Sequence, residues 1–275
     1  MKTNSWWSRA ASSPALQSLY ARIRGVPVLG ACAHGLMLRL MPAGTRLAVR
    51  VRKGAGADLL LSLDPRYEAP YAAGFHETAL LACLAAHLKP GDVLYDVGAH
   101  IGYISLVAGR LVGPSGKVFA FEADPENARR ITGHAEMNAL PQVELVPFAV
   151  WSECKTLSFH RDAATSSRNT GAVTALEQGQ SAAGVIVVEA VTLDHFAADH
   201  PSPTVVKIDV EGAEEEVLKG AEEVFRRSKP TLICEVHNGR AAEGVAAWLA
   251  RMGYQSKWLT AGAEFPRHLV AHPME

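Results

Sequence analysis

The residues with most chemical content stand at the ends of apolar runs. Asp96 closes Val93-Leu94-Tyr95, and Gly98 and Gly102 follow it in DVGAHIG, a turn that opens the apolar stretch YISLVAGRLV. Glycine permits the sharp turn, and a turn of this kind leaves backbone N–H groups near a helix N-terminus, which suits a polar ligand. Glu122 closes the next apolar run 20 residues beyond Gly102, the spacing at which a carboxylate can accept hydrogen bonds from a ribose diol. The turn is not G-x-G-x-x-G, because Ala99-His100-Ile101 separates its glycines. A pyrophosphate-binding turn is therefore poorly supported, and S-adenosylmethionine, which carries ribose and adenine but no phosphate, is the alternative occupant.

A second group lies downstream. Asp209 and Glu211 close VVKIDVEG, and His237 follows Glu235 at the end of LICEV. In an open α/β sheet the ligand sits beyond the carboxyl ends of the strands, so Asp96, Glu122, Asp209, Glu211 and His237 share one rim. The ordinary histidine pKa suits His237 to accept a proton near neutrality. His100 and His160 are rival bases, and a structural histidine at a strand end is the competing reading of His237. Asp209 and Glu211 either bracket an acceptor or cap the helix that starts near Ala213, and Glu214 in its first turn reads as helix-end electrostatics. Lys207, on a buried strand, needs an acidic partner. Asp209, Glu211 and His237 together could bind a divalent ion. No ligand motif of fixed spacing is present, so no metal is assigned.

The elements that must position these groups follow from periodicity. Strand-like and helix-like runs alternate from Val93 onward: strands 93–96, 117–122, 143–150, 205–210 and 231–236, with helices 101–111, 125–138, 213–226 and 241–252 between or after them, then strand-like runs at 254–258 and 268–271. That rhythm predicts an α/β fold, a mostly parallel sheet with helices on both faces. Upstream, Leu47, Val49 and Val51 alternate with Arg46, Arg50 and Arg52 before Gly54-Ala55-Gly56 and Leu59 to Leu63, the pattern of a β-hairpin with one solvated face. A helix over 77–87 delivers the chain to the first core strand, and residues 1–90 as a whole form a helical and hairpin extension. Residues 91–275 are the core, in which 151–203 breaks the rhythm with strand-like KTLSFH and GVIVVEAVTL around a polar span. A span this long reads as a lid over the substrate.

The chain of motifs Gly74-Phe75-His76-Glu77, KPGDVLYDVGAHIGYIS, FAFEADPEN, Asn138, Ala149-Val150, VEAVTLDHF, VVKIDVEGAEEEVLKG and ICEVHN resembles the FkbM-type S-adenosylmethionine-dependent methyltransferases, from about Arg46 to Asn238. The resemblance implies a class I, Rossmann-like methyltransferase core of seven strands with the last one antiparallel. It also implies methyl transfer, usually to a hydroxyl of a small molecule or sugar. In that scheme Asp96, Gly98, Ala99, His100 and Gly102 hold the methionyl part of the cofactor, Glu122 the ribose, and Ala149 and Val150 the adenine. Glu77 matches an acidic position that reaches the cofactor ammonium or the acceptor. Position 100 is His where the family often has Asn. His237, Asp209 and Glu211 are the catalytic candidates.

Composition bounds the rest. With 275 residues, 48% hydrophobic and 20% charged, and a net charge of −1, the chain can bury a sizeable core and shows no basic excess that would announce a nucleic acid. The four cysteines, Cys32, Cys83, Cys154 and Cys234, form no C-x-x-C pair and read as reduced thiols. Trp6 and Trp7 beside Arg9 either touch a membrane interface or pack on the domain. With no signal-peptide pattern and no long uncharged apolar run, a cytoplasmic location without a transmembrane span is expected. The expected partner is a small-molecule or glycan acceptor; the oligomeric state is not encoded. N-methylation on the same fold, a nucleotide-dependent oxidoreductase and a non-catalytic adenosyl-binding module are the alternatives.

Overall fold

The structure is a computed structural model and describes residues 41–42, 44–161, 171–174 and 185–274, with the side chains of 159–161 and 171–174 excepted. The readings of Trp6, Trp7, Cys32, the lead-in helices, most of the polar span 162–184 and the His160 side chain lie outside the described residues.

In chain order the elements are β1 Leu47–Arg50, β2 Leu60–Leu63, α1 Ala69–Ala73, α2 Thr78–His87, β3 Val93–Val97, α3 Tyr103–Val112, β4 Lys117–Phe121, α4 Pro125–Met137, β5 Val143–Val146 and β6 Ala149–Val150. They continue with β7 Lys155–Arg161, β8 Gly171–Thr174, β9 Val185–Val191, α5 Leu193–Asp199, β10 Val205–Ile208, α6 Glu214–Lys219, α7 Glu222–Ser228, β11 Thr231–Val236, α8 Gly239–Met252, β12 Tyr254–Trp258 and β13 Arg267–Pro273. The main sheet has seven strands in the order β12-β13-β11-β10-β3-β4-β5. All its pairings are parallel except those of β13, which runs antiparallel to both β11 and β12. The chain leaves β3 toward β4 and β5, then returns to β10 on the other side, so the order reverses between β3 and β10. That reversal opens a crevice at the strands' carboxyl ends.

Strands β3 and β10 are buried on both faces because side chains alternate sides. Leu94 and Val205 face a core built with α2, α3 and the hairpin, whereas Tyr95, Val97, Val206 and Ile208 face a core built with α5, α7 and α8. The first core takes in Leu59, Leu61 and Leu63 of the hairpin region, so the described residues 44–90 and the sheet share one apolar interior. Polar groups lock that junction. Asn138 at the end of α4 accepts from Leu60 N at 2.8 Å and donates to Leu60 O at 2.8 Å. Ser62 N donates to His134 Nε2 at 2.9 Å, and buried Arg130 pairs with Glu68 at 2.7 and 2.9 Å.

Two expected elements divide. The run 143–150 breaks at Pro147, which has no N–H for the ladder; β5 stays in the main sheet, while β6 joins a separate four-stranded sheet, β6-β9-β7-β8. The single helix expected over 213–226 becomes α6 and α7. A Cβ on Gly220, between them, would lie 2.2 Å from the Trp151 carbonyl oxygen, so the chain packs closely there against the end of β6. Among the described residues, no helix is long and apolar enough to cross a membrane.

Candidate functional site

The crevice at the reversal is a cavity of about 520 Å³. Gly98, Ala99 and His100 form one wall, Glu122, Ala149 and Val150 another, and Glu77, Asp209, Glu211 and His237 a third. Gly98 has φ +76°, and a Cβ there would lie 1.8 Å from the Asp209 carbonyl oxygen, so only glycine lets β3 and β10 approach this closely. Gly102, with φ +81°, is the N-cap of α3 and lies behind the cavity surface.

The turn's amides are not the free donors that the spacing suggests. Gly98 N and Ala99 N donate to Phe121 O at 3.1 and 3.0 Å, Gly102 N donates to Ala99 O, and His100 N donates to Glu122 Oε2 at 2.8 Å. These bonds weld the turn to the end of β4. The turn therefore shapes the wall, and its polar contribution comes through Glu122, whose other oxygen accepts from Asp124 N at 2.8 Å. Burial pushes the Glu122 carboxyl up to about 8, against the two backbone hydrogen bonds that favour its charged form.

Asp96 is set back from the cavity and fully buried. It accepts from Ser105 Oγ at 2.5 Å and lies 3.1 Å from Lys207 Nζ, its partner across the parallel β3–β10 register. Lys207 donates to Gly98 O at 2.8 Å and reaches Asp209 at 3.5 Å. Burial disfavours the ammonium, but Asp96 and then Asp209 outweigh it and hold its pKa above the ordinary value. Lys207 is thus the buried cation that pins the turn to Asp209, and Asp96 acts through it.

His237 Nδ1 pairs with buried Glu214 at 2.6 Å, while Nε2 faces Glu211 at 3.4 Å and Asp209 at 3.6 Å. Burial lowers its pKa, but the Glu214 hydrogen bond and then the Asp209 and Glu211 charges push it up to about 9. Three carboxylates surround His237 and favour its imidazolium form, which counts against its accepting a proton near neutrality. Glu214, read from sequence as helix-end electrostatics, also receives Gly212 N at 3.0 Å and is fully buried. Its second role is to hold His237. Burial tends to raise the Asp209 carboxyl, but Lys207 and His237 keep it below the usual range, whereas burial and then the Asp209 charge push neighbouring Glu235 up to about 8.

His100 adopts φ +53°, a left-handed conformation that Asn and His tolerate better than most residues. Its Nδ1 shares a hydrogen bond with Tyr71 Oη at 3.2 Å, and its buried Nε2 has no hydrogen-bond partner among the described residues. Burial, then Arg130, lowers its pKa to about 3, so it is neutral. Glu77 (φ +50°) and Glu211 (φ +54°) are also left-handed and line the same cavity.

A family model described as the methyltransferase FkbM domain matches residues 96–256. The chain belongs to the FkbM methyltransferase family. Among relatives, hexuronic acid methyltransferase AglP of Haloferax volcanii is 29% identical over 59% of this chain and 63% of its own length. The 31-O-demethyl-FK506 methyltransferase FkbM of Streptomyces tacrolimicus is 31% identical over 60% of this chain and 72% of its own. The match therefore spans somewhat under two thirds of the first relative. The crystal structure of methyltransferase FkbM from Methylobacillus flagellatus KT aligns with a TM-score of 0.50 at 15% identity, over 72% of this chain and 52% of that one. That likeness concerns the fold, a class I methyltransferase sheet, as the family implies.

In this FkbM-family chain, Tyr71 on the cavity wall and His268 beside it carry no sequence signal of their own. Tyr71 and His76 meet with ring centroids 4.0 Å apart at a tilt of 42°, and burial lowers the His76 pKa to about 4. His268 comes to Glu77 and Glu235 only through the antiparallel pairing of β13 with β11. Nothing in the linear chain joins Glu77 to His268.

Proposed function

We propose that this chain transfers the methyl group of S-adenosyl-L-methionine to a hydroxyl oxygen of a small molecule or sugar. The observation that carries the reading is Glu122, held at the end of β4 by two backbone amides and facing the cavity beside the glycine turn. A carboxyl group so fixed keeps lone pairs for a ribose diol. The cavity volume of about 520 Å³ lies within the range of small-molecule sites, and the buried, unpartnered His100 Nε2 offers one more polar contact. When bound, the cofactor supplies an electrophilic methyl on a sulfonium: the O–CH3 bond forms as the S–CH3 bond breaks, and S-adenosylhomocysteine leaves.

The residues of the chain position the partners and take the proton. Orientation of two reactants can contribute about 7 to 11 kcal/mol to such a displacement. Asp209, kept ionised by Lys207 and His237, orients the acceptor hydroxyl and receives its proton. A weak base suffices, because an oxygen that has just gained a methyl while keeping its proton is strongly acidic. Glu211 flanks the acceptor, and cationic His237 holds both carboxylates in place. The names of the relatives from Haloferax volcanii and Streptomyces tacrolimicus, which specify a hexuronic acid and an FK506 precursor, support an oxygen acceptor. Among the described residues of 151–203 none lines the cavity, and Leu193 and Ala197 of α5 pack in the core with Tyr95, so the cover expected there is not part of this reading, whereas a cytoplasmic setting is.

A thermal-shift screen followed by product mass spectrometry tests the reading. Stabilisation by S-adenosylhomocysteine but not NAD, with a 14-dalton gain on a hydroxylated metabolite or glycan expected from replacing H by CH3, supports it. Stabilisation by NAD alone would move the chain to oxidoreduction. Binding without transfer to any acceptor would leave an adenosyl-binding module.

A further inference from the structure

We propose that Glu77, Glu235 and His268 form a binding site for a divalent cation of the Mg²⁺ or Mn²⁺ class on the wall of the cavity. His268 Nε2 lies 3.4 Å from Glu77 Oε2 and 3.7 Å from Glu235 Oε2, and the three donor atoms fall within 4.8 Å of one another. Donors sharing one ion at about 2.1 Å sit about 3.0 Å apart at right angles and about 4.2 Å apart when opposed. Both histidine distances fall between those limits.

The independent observation is on His268 itself. Its residue exposure is 9%, and Nε2 is buried without any hydrogen-bond partner among the described residues, although it points between two carboxylates. A buried imidazole nitrogen left this way calls for an explanation, and an ion between the three groups supplies one. The placement is rigid on two sides, since Glu235 and His268 are direct partners across the β11–β13 ladder. Glu77 is itself the left-handed N-cap of α2, which fixes its direction. The set Asp209, Glu211 and His237 has similar spacing, but Lys207 Nζ lies 3.5 Å from Asp209 and already neutralises that carboxylate.

Glu77 and Glu235 line the cavity, so an ion here has coordination positions open toward the acceptor. Three protein donors with open positions make a catalytic type of site. Resting on the methyl-transfer reading, the ion would bind the acceptor hydroxyl and lower its pKa beside Asp209, completing the work of that carboxylate.

The test titrates Mn²⁺ into the full chain and follows it by electron paramagnetic resonance, with electron spin echo modulation to detect coordinated histidine nitrogen. One saturable equivalent with a nitrogen signal is expected. His268→Gln should weaken binding by tenfold or more and abolish the signal, while stabilisation by S-adenosylhomocysteine persists and reports an intact fold. The wild-type nitrogen signal reads the ligand even if a variant does not fold. Unsaturable uptake, a saturable ion without nitrogen coupling, or a coupling that survives His268→Gln and disappears in His237→Gln would overturn the assignment. Mn²⁺ held through His268 in a chain that binds no adenosyl ligand would keep the ion site and remove the methyl-transfer reading instead.

Discussion

Glu122 and His237 show how far a residue's role departs from its type. The Glu122 carboxylate already accepts two backbone amides, so its remaining lone pairs are aimed and not free to swing. With its carboxyl pushed up to about 8, Glu122 counts as a neutral partner at about 0.5 to 1.5 kcal/mol, and Glu122→Ala should weaken S-adenosylhomocysteine binding by roughly 2- to 10-fold in isothermal calorimetry; unchanged affinity would remove the ribose assignment. His237 makes a prediction about pH. Its folded pKa of about 9 lies above the ordinary 6.5, so folding favours the imidazolium. The stability it contributes is complete below pH 6.5 and disappears as pH rises through 9. The stability difference between wild type and His237→Gln, measured by urea unfolding, should therefore shrink across that window. A difference that grew with pH would mean that the histidine is buried neutral.

At the scale of elements, α4 is the beam to which the hairpin is bolted. Asn138 and His134, both at its C-terminal end, bond the backbone of β2 at Leu60 and Ser62. Its N-terminus is capped by Asp124, whose own amide binds Glu122. Removing a side chain that satisfies buried backbone groups costs about 1 to 3 kcal/mol for each group left unmade. Asn138→Ala should lower urea-unfolding stability by that order, with the loss seen first as faster amide exchange in β2; equal exchange rates in the hairpin and its variant would refute the coupling. The strands and helices of the core were legible because each is a clean apolar run between turn signals, and the hairpin because its arginines alternate with aliphatics. The split of 143–150 also had a local cause in Pro147. The split of 213–226 did not, because the reason lies in the Trp151 carbonyl that Gly220 approaches. The candidate site was legible where one motif carries its own chemistry, as at Glu122 and Asp209. It was hidden where partners meet only after folding: Lys207 with Gly98 O, Glu214 with His237, and His268 with Glu77.

For the whole molecule, the described part of the N-terminal extension, residues 44–90, is part of the same interior as the sheet, because Leu59, Leu61 and Leu63 pack in one core with β3 and α3, and Glu77 and Tyr71 from it line the cavity. Ligand occupancy should therefore stabilise the extension and core together. At a hundredfold excess over its dissociation constant, S-adenosylhomocysteine should add about 2.7 kcal/mol to unfolding stability. A single cooperative transition that moves up as a unit in calorimetry is expected, and a ligand-insensitive first transition would separate the extension from the fold.

The three left-handed residues on the cavity wall, Glu77, His100 and Glu211, set a bargain between durability and turnover. A non-glycine residue in a sparsely populated backbone region costs of order 1 to 3 kcal/mol, and that cost would vanish on mutation to glycine along with the side chain that faces the ligand. Laboratory selection for heat resistance alone should therefore accumulate glycine at these positions and yield hardy, slow proteins, whereas selection for activity should leave them strained.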